Sequence, residues 1–124
     1  MDSILQFYRK TRERFATVVD KTDKEHLKSW ELDDEYAYSW FQSLANMLNA
    51  EMQKQVGLDV AETLFDYMRE QFSTGSPEVQ NCIDVSFVEN LVWRVSSEKA
   101  RPYWLRIPDL LKNLYLEFHR SPPC

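Results

Sequence analysis

Apolar residues recur at spacings of three and four along almost the whole chain, and this periodicity constrains the fold more than any other sequence feature. The spacing places apolar side chains on one face of a helix, whereas no stretch alternates long enough to predict a strand. With only 2 Gly and 5 Pro against 7 Phe, 6 Tyr and 4 Trp, a turn-rich β-sandwich and a disordered chain are both disfavoured. The sequence therefore predicts an all-α fold.

The length of 124 residues is enough for one substantial core and too short for two independent ones. We therefore expect a single helical domain over residues 1–124, a compact bundle of about five to six helices built from helical hairpins. The predicted helices cover residues 3–19, 34–55, 59–72 and 77–95, and a last helix starts at Pro108. Residues 20–32 are a predicted connection, and residues 96–106 are either a linker or one short helix around residues 102–105.

The clearest helix start is Ser76 followed by Pro77, because Ser caps helix ends and Pro lacks an N–H that would be unpaired there. The helix that follows, residues 77–95, is apolar around most of its circumference. Its apolar residues form two groups: Val79, Cys82, Ile83 and Phe87 on one side, and Val85, Val88 and Val92 on another. We predict that it is the central helix, packed on two faces.

Four polar residues interrupt that apolar helix: Asn81, Asp84, Glu89 and Asn90. Polar groups in such a position usually satisfy neighbouring helix ends or side chains, which is the interpretation we favour. A functional pocket is the alternative. In the last helix, Leu110, Leu111, Leu114, Tyr115 and Phe118 are predicted to face inward.

The sequence favours a cytoplasmic protein. Four basic residues, Arg9, Lys10, Arg12 and Arg14, lie where a signal peptide needs an uninterrupted apolar stretch. No apolar run approaches the ~20 residues that span a bilayer. Cys82 and Cys124 form neither a CxxC unit nor a disulfide framework, so we expect both thiols to be reduced.

Charge is distributed unevenly along the chain. Residues 30–93 contain twelve acidic and two basic residues, although the whole chain carries a net charge of only -5. One acidic group, Glu31, Asp33, Asp34 and Glu35, precedes the second predicted helix. A second group, Asp59, Glu62, Asp66 and Glu70, shares one face of the third helix by its spacing. The first group either caps the helix or binds a basic partner, and the second is either an ordinary solvated face or part of the same partner surface.

Catalytic and metal-binding patterns are absent from the sequence. His26 and His119 lie in no cluster with metal-ligand spacing, and no nucleophile motif or Gly-rich phosphate loop is found. We therefore predict no catalytic residue, no cofactor and no metal. The acidic net charge disfavours direct binding of nucleic acid.

Residues 75–91, with the sequence GSPEVQNCIDVSFVENL, and residues 107–111, with the sequence IPDLL, resemble a group of small all-helical bacterial proteins. This group comprises immunity proteins of polymorphic toxin systems, including those of contact-dependent growth inhibition. The resemblance covers about the carboxy-terminal half of the chain. It implies a cytoplasmic protein that binds its cognate toxin tightly and blocks the active site or substrate groove.

A nuclease toxin presents a basic surface because it must hold phosphates. Under this hypothesis both acidic groups oppose Lys and Arg of the toxin, and exposed aromatic residues provide anchors. The predicted partner-binding residues are Glu31, Asp33, Asp34, Glu35, Asp59, Glu62, Asp66, Glu70, Trp30, Tyr38 and Tyr67.

Two other functions stay open from the sequence. A phage-borne or regulatory inhibitor, which mimics DNA or docks on a cellular factor, would use the same acidic surface without a toxin partner. An enzyme would require at least two carboxylates that converge in a pocket and a raised pKa there. The sequence leaves both a monomer and a homodimer open.

Overall fold

The computed structural model describes residues 3–124, so Met1 and Asp2 of the predicted domain lie outside the described residues. Within this range the fold is all-helical without strands, as predicted, and its seven α-helices agree roughly with the expected bundle of about five to six. The helices are α1 Ser3–Arg14, α2 Ala16–His26, α3 Ala37–Lys54, α4 Leu58–Thr74, α5 Pro77–Asn81, α6 Ser97–Trp104 and α7 Asp109–His119. None of these described helices is long and apolar enough to cross a membrane.

Helix α3 lies at the centre of the core. Ten of its residues are buried, and the ring of Phe41 stacks on that of Phe7 of α1 at a centroid distance of 4.4 Å. Trp40 meets Tyr8 edge to face at 5.5 Å, which adds a second aromatic contact between the same two helices. All seven helices contribute buried side chains to this core. Helix α3 and residues 77–95 therefore both contribute to the centre of the core, which was predicted for residues 77–95 alone.

The first predicted helix, residues 3–19, is divided in two at Phe15. This residue leaves the helical conformation, with φ of -116° and ψ of 47°, and its buried ring meets Tyr67 edge to face at 4.9 Å. Helix α2 then continues to His26, so the prediction of a connection from residue 20 is wrong. The periodicity missed this helix because polar residues, Thr22 and His26 among them, occupy its buried side.

Asp23 ties the first three helices together. Its carboxylate accepts two hydrogen bonds from the Arg12 guanidinium, at 2.7 and 3.0 Å, and one from Trp40 Nε1 at 2.8 Å. Both charged side chains are largely shielded from water, with 27% of Arg12 and 15% of Asp23 exposed. Such charge-assisted, bidentate contacts are stronger than neutral hydrogen bonds.

The predicted helix over residues 77–95 begins as expected and ends early. Ser76 Oγ accepts the Val79 N–H at 3.3 Å, which confirms the cap. After α5, a π-helical segment, Cys82–Phe87, and a 3-10 segment, Val88–Asn90, complete the helical run. Leu91 is extended, so residues 91–95 are not helical. Cys82 is fully buried, and both cysteines are free thiols.

The last helix begins as predicted, because Pro108 is the N-cap residue of α7. Leu111 and Tyr115 are buried, in agreement with the expected inward face. Phe118 was expected beside them and is instead exposed, as is Val85 of the π-helical segment. Both side chains border one open depression, together with Glu89 and Asn90 of the segment Val88–Asn90.

We expect Asp23→Asn to lower the free energy of unfolding by about 2 kcal/mol, since the substitution leaves the Arg12 guanidinium without its counter-charge. Urea denaturation would measure the change. The control is Glu25→Gln, which breaks the exposed ion pair with Lys28 and should cost no more than about 0.5 kcal/mol. Equal effects of the two variants would contradict the role assigned to Asp23.

Candidate binding surfaces

The first acidic group lies in an exposed segment between α2 and α3, residues 27–35, which we call the acidic loop. All four of its carboxylate residues are exposed, as predicted. Asp33 Oδ1 accepts the Glu35 N–H at 2.9 Å and caps the short 3-10 helix Asp34–Tyr36, while Asp34 pairs with Arg9 at 2.9 Å. Glu31 and Glu35 form no ion pair with any residue the structure describes. Capping thus accounts for one of the four carboxylates.

Three large apolar side chains are exposed in the same loop. Trp30 is 37% exposed, Leu32 is 46% exposed and Leu27 is 56% exposed. The ring of Trp30 packs against that of Tyr36 at a centroid distance of 5.8 Å. Both residues line an open cavity of about 550 Å³. The predicted exposure of Trp30 is therefore confirmed, and the loop combines apolar anchors with carboxylates.

The loop is fastened to the core by His26, which is only 1% exposed. One ring nitrogen, Nε2, lies 3.0 Å from the backbone oxygen of Glu31, and Nδ1 lies 2.9 Å from Ser43 Oγ. Because a carbonyl can only accept, Nε2 carries the hydrogen and Nδ1 accepts from the serine hydroxyl. Burial lowers the pKa of His26, so this arrangement belongs to the neutral ring.

The second acidic group lies on the outer face of α4. Asp59, Asp66 and Glu70 are exposed there, whereas Glu62 is half-buried and pairs with Arg106 at 3.2 Å. The prediction that Tyr67 belongs to this surface is wrong, because its side chain is 3% exposed. The Tyr67 hydroxyl is hydrogen-bonded to Thr11 Oγ1 at 2.9 Å. Helix α1 covers the side of α4 that helix phase alone left open.

Tyr38 also differs from the expected exposed anchor. Its side chain is half-buried, and its hydroxyl accepts the Asn81 amide at 2.8 Å and donates to the Asn81 backbone oxygen at 3.3 Å. These bonds connect α3 to the end of α5. Tyr38 therefore stabilises the fold in this structure, and little of its ring area is available to a partner.

The two acidic groups do not form one continuous surface, because the basic helix α1 lies between them. Arg9 of α1 pairs with the acidic loop, while Lys10 donates to Gln71 of α4 at 3.4 Å. The Arg14 guanidinium lies 5.8 Å above the ring of Tyr67. The predicted interface residues are thus divided between two separate surfaces.

A third surface, which the sequence did not predict, surrounds Trp93. Its side chain is 61% exposed and borders a cavity of about 540 Å³. We call this cavity the Trp93 groove; it is lined by Gln42, Asn46, Val85, Glu89, Asn90, Trp93, Phe118 and His119. Trp93, Phe118 and Val85 are three of the exposed large apolar side chains of the described chain. The lining combines three apolar side chains with five polar residues, so the groove offers both apolar contact area and hydrogen-bonding groups.

The residues on both sides of Trp93 have an unfavourable backbone conformation. Val92 and Arg94, on either side, have φ of 64° and 58°, in the left-handed region that β-branched residues avoid. Asn49 of α3 fixes this segment, because its Oδ1 accepts the Val92 N–H at 2.7 Å and its Nδ2 donates to the Asn90 oxygen at 2.8 Å. Gln53 Nε2 donates to the Arg94 oxygen one turn further along. Val92 is thereby buried and Trp93 is directed outward.

The four polar residues of the central segment divide into two pairs. Asn81 bonds to Tyr38, and Asn90 Nδ2 donates to the Ser86 oxygen at 2.8 Å, so both amides satisfy neighbouring groups as we favoured. Asp84 and Glu89 have no such bonds from their side chains among the described residues. Burial, together with the charge of Glu117, raises the pKa of Asp84, and burial together with the charge of Asp84 raises the pKa of Glu89. In residues 3–124 no three His, Cys, Asp or Glu side chains are grouped to hold a metal ion.

The model of a family described as a domain of unknown function, DUF7674, matches residues 8–121. The chain belongs to this family. No curated protein and no solved structure matches the chain. The matched range contains the acidic loop, the outer face of α4 and the Trp93 groove, so all three surfaces belong to the DUF7674 domain itself.

We expect Asn49→Ala to lower the free energy of unfolding by about 2 kcal/mol, because the buried Val92 N–H loses its acceptor. The matched control is Asn46→Ala, one turn earlier on α3, where the side chain lies in the groove. Its cost should stay below about 0.5 kcal/mol. Urea denaturation measures both, and equal costs would show that Asn49 does not hold the segment.

We expect the free energy of unfolding to fall as the pH decreases below 6.5, the ordinary pKa of His. The unfolded chain takes up the proton first, since the pKa of His26 is lowered in the folded state by burial. The contribution of neutral His26 to the free energy of unfolding is fully present above pH 6.5 and is lost as the pH falls toward the pKa of His26 in the folded state. Denaturation of His26→Gln, with His119→Gln as control, checks this: the first variant should lose the pH dependence and the second should retain it.

Proposed function

We propose that the chain is a cytoplasmic immunity protein that binds a basic toxin domain, of the nuclease class, and covers its active site or substrate groove. The observation that carries the proposal is the acidic loop. It presents Leu27, Trp30 and Leu32 to solvent among four exposed carboxylates.

Such a surface suits a nuclease for a physical reason. A nuclease holds phosphates with Lys and Arg, and carboxylates can take the place of the phosphates. Complementary charge speeds the encounter and sets the orientation, while a partly buried Trp supplies the contact area that holds the complex. Glu31 and Glu35 are the carboxylates of the loop that are free to act in this way, because Asp33 and Asp34 are engaged within the chain.

Several of the residues that carry the resemblance to immunity proteins are structural. Ser76 caps α5, and Cys82 and Ile83 are fully buried. They support a related scaffold, while the acidic loop supports the binding activity. The acidic loop lies outside the residues on which the resemblance rests.

We expect Glu31→Lys with Glu35→Lys to weaken toxin binding at least about tenfold, or ~1.4 kcal/mol. The toxin would be recovered with the tagged chain from a lysate of its host, at low and high salt, and identified by mass spectrometry. Expression of that basic protein should arrest growth, and co-expression of the unchanged chain should restore it.

Two charge-matched variants identify the surface. Asp66→Lys with Glu70→Lys changes the outer face of α4 by the same charge, and Glu13→Lys with Asp20→Lys changes exposed positions of α1 and α2. An effect confined to the α4 variant would move the contact there. Equal effects of all three variants would show that binding depends on the net charge of the chain and not on the position of the loop. A recovered partner without toxicity would replace immunity with the regulatory-inhibitor function.

A further inference from the structure

We propose that the Trp93 groove is a docking site for a basic, apolar segment of a partner protein. In this complex an apolar side chain of the segment lies against Trp93 and Phe118, and a neighbouring Lys or Arg is held by the carboxylates at the rim. The proposal goes beyond the acidic loop and stands on separate residues.

The groove has the shape of a site for an extended segment. Its main cavity of about 540 Å³ adjoins a second cavity of about 340 Å³, and both are lined by Asn46 and Trp93. The two together run from Phe118 and His119 of α7 to Glu25 near the end of α2. Such a long, open depression accommodates a stretch of polypeptide better than a small molecule, which binds in a more enclosed space.

The apolar side chains of the groove are placed there by the fold. Two left-handed residues flank Trp93, and the hydrogen bonds of Asn49 and Gln53 maintain that conformation. Trp93 remains 61% exposed and Phe118 remains 56% exposed, in a chain that buries most of its other aromatic rings. Unfavourable backbone conformations persist where the surrounding structure enforces them, and they cluster at binding sites. The π-helical segment that carries Val85 is another feature of such sites.

The charge at the rim selects a basic partner. Glu89 lines the groove, while Asp84 and Glu117 are next in sequence to the lining residues Val85 and Phe118. The charge of Asp84 acts on Glu89 and that of Glu117 acts on Asp84, and none of the three forms an ion pair within residues 3–124. Partial burial is the main reason that the pKa values of Asp84 and Glu89 are raised, and the neighbouring negative charges of Glu117 and Asp84 add to it. An incoming Lys or Arg would relieve this repulsion.

The remaining groups at the groove include one cation and two free carboxamides. Arg94 lies 5.5 Å above the ring of Trp93, so a basic segment must compete with this cation for that aromatic face. His119 Nε2 is engaged with the Glu89 backbone oxygen at 3.0 Å. Gln42 and Asn46 line the wall formed by α3, and their carboxamides have no hydrogen-bond partner among the described residues. They offer both donors and acceptors to the backbone of a bound segment.

The test uses the full chain and three synthetic seven-residue peptides with blocked ends. The first has the sequence Lys-Leu-Ser-Lys-Phe-Ser-Lys. In the second, Glu replaces every Lys, and in the third, Ser replaces Leu and Phe. Binding is followed at 150 mM salt through the NMR signal of the Trp93 indole N–H, which is assigned with Trp93→Phe. We expect the first peptide to shift this signal and to bind at least tenfold more tightly than either control.

Variants of the chain then separate the contributions. Trp93→Ala and the triple variant Asp84→Asn, Glu89→Gln and Glu117→Gln should each weaken binding of the first peptide at least tenfold. Trp30→Ala is the matched aromatic control and should leave the affinity unchanged. Arg94→Ala should strengthen binding, because it removes a competing cation from the ring. Thermal unfolding verifies that each variant is folded.

Four results would overturn the proposal. Equal binding of the acidic and the basic apolar peptide would remove the charge selection. A shift of the Trp93 signal with protein concentration alone would identify a second copy of the chain as the occupant. Loss of peptide binding in Glu31→Lys with Glu35→Lys would place the contact at the acidic loop. If the unchanged chain binds the acidic peptide more tightly than the basic apolar peptide, and Arg94→Ala abolishes this preference, the ligand of the groove is anionic. None of these results bears on toxin neutralisation, which fails or succeeds in the growth assay.

Discussion

The carboxamide of Asn49 is the constraint on which the carboxy-terminal third of the structure depends. It lies in the buried middle of α3, accepts the Val92 N–H and donates to the Asn90 oxygen. Since a buried amide without partners is unfavourable, this side chain and the backbone of residues 90–92 require each other. The contact ends the helical run that begins at Pro77 and sends the chain toward α6. It also determines that Val92 enters the core while Trp93 leaves it.

The predictable part of the fold is the part that local pattern controls. The spacing of Trp40, Phe41, Leu44 and Leu48 identifies α3, and Ser76 with Pro77 identifies the start of α5. The unpredicted part depends on tertiary hydrogen bonds. Helix α2 continues past residue 20 because His26 and Thr22 face inward, and no count of apolar residues reveals that. The break after Asn90 likewise depends on Asn49, which is distant in sequence.

The candidate surfaces show the same division. Exposure of the acidic loop follows from composition, because four neighbouring carboxylates cannot be buried together. Tyr67 was assigned to the surface because helix phase gives the direction of a side chain but not which helix packs against it. Helix phase predicts an inward position for Phe118 and none for Trp93, and the structure exposes both, because other residues fill the core beside them. The signal that could have found the groove is the pair of unexplained carboxylates, Asp84 and Glu89, within an otherwise apolar helix.

The buried position of Cys82 has a practical consequence for following the protein in solution. Burial raises the pKa of its thiol to about 12, so the reactive thiolate is scarce at neutral pH. Cys124 is half-exposed, on a tail whose Pro123 oxygen accepts the Ser97 hydroxyl at 3.0 Å. A maleimide dye would therefore attach selectively to Cys124 without any substitution. Because this residue follows Phe118 by only six positions, the dye would report on events at that end of the molecule.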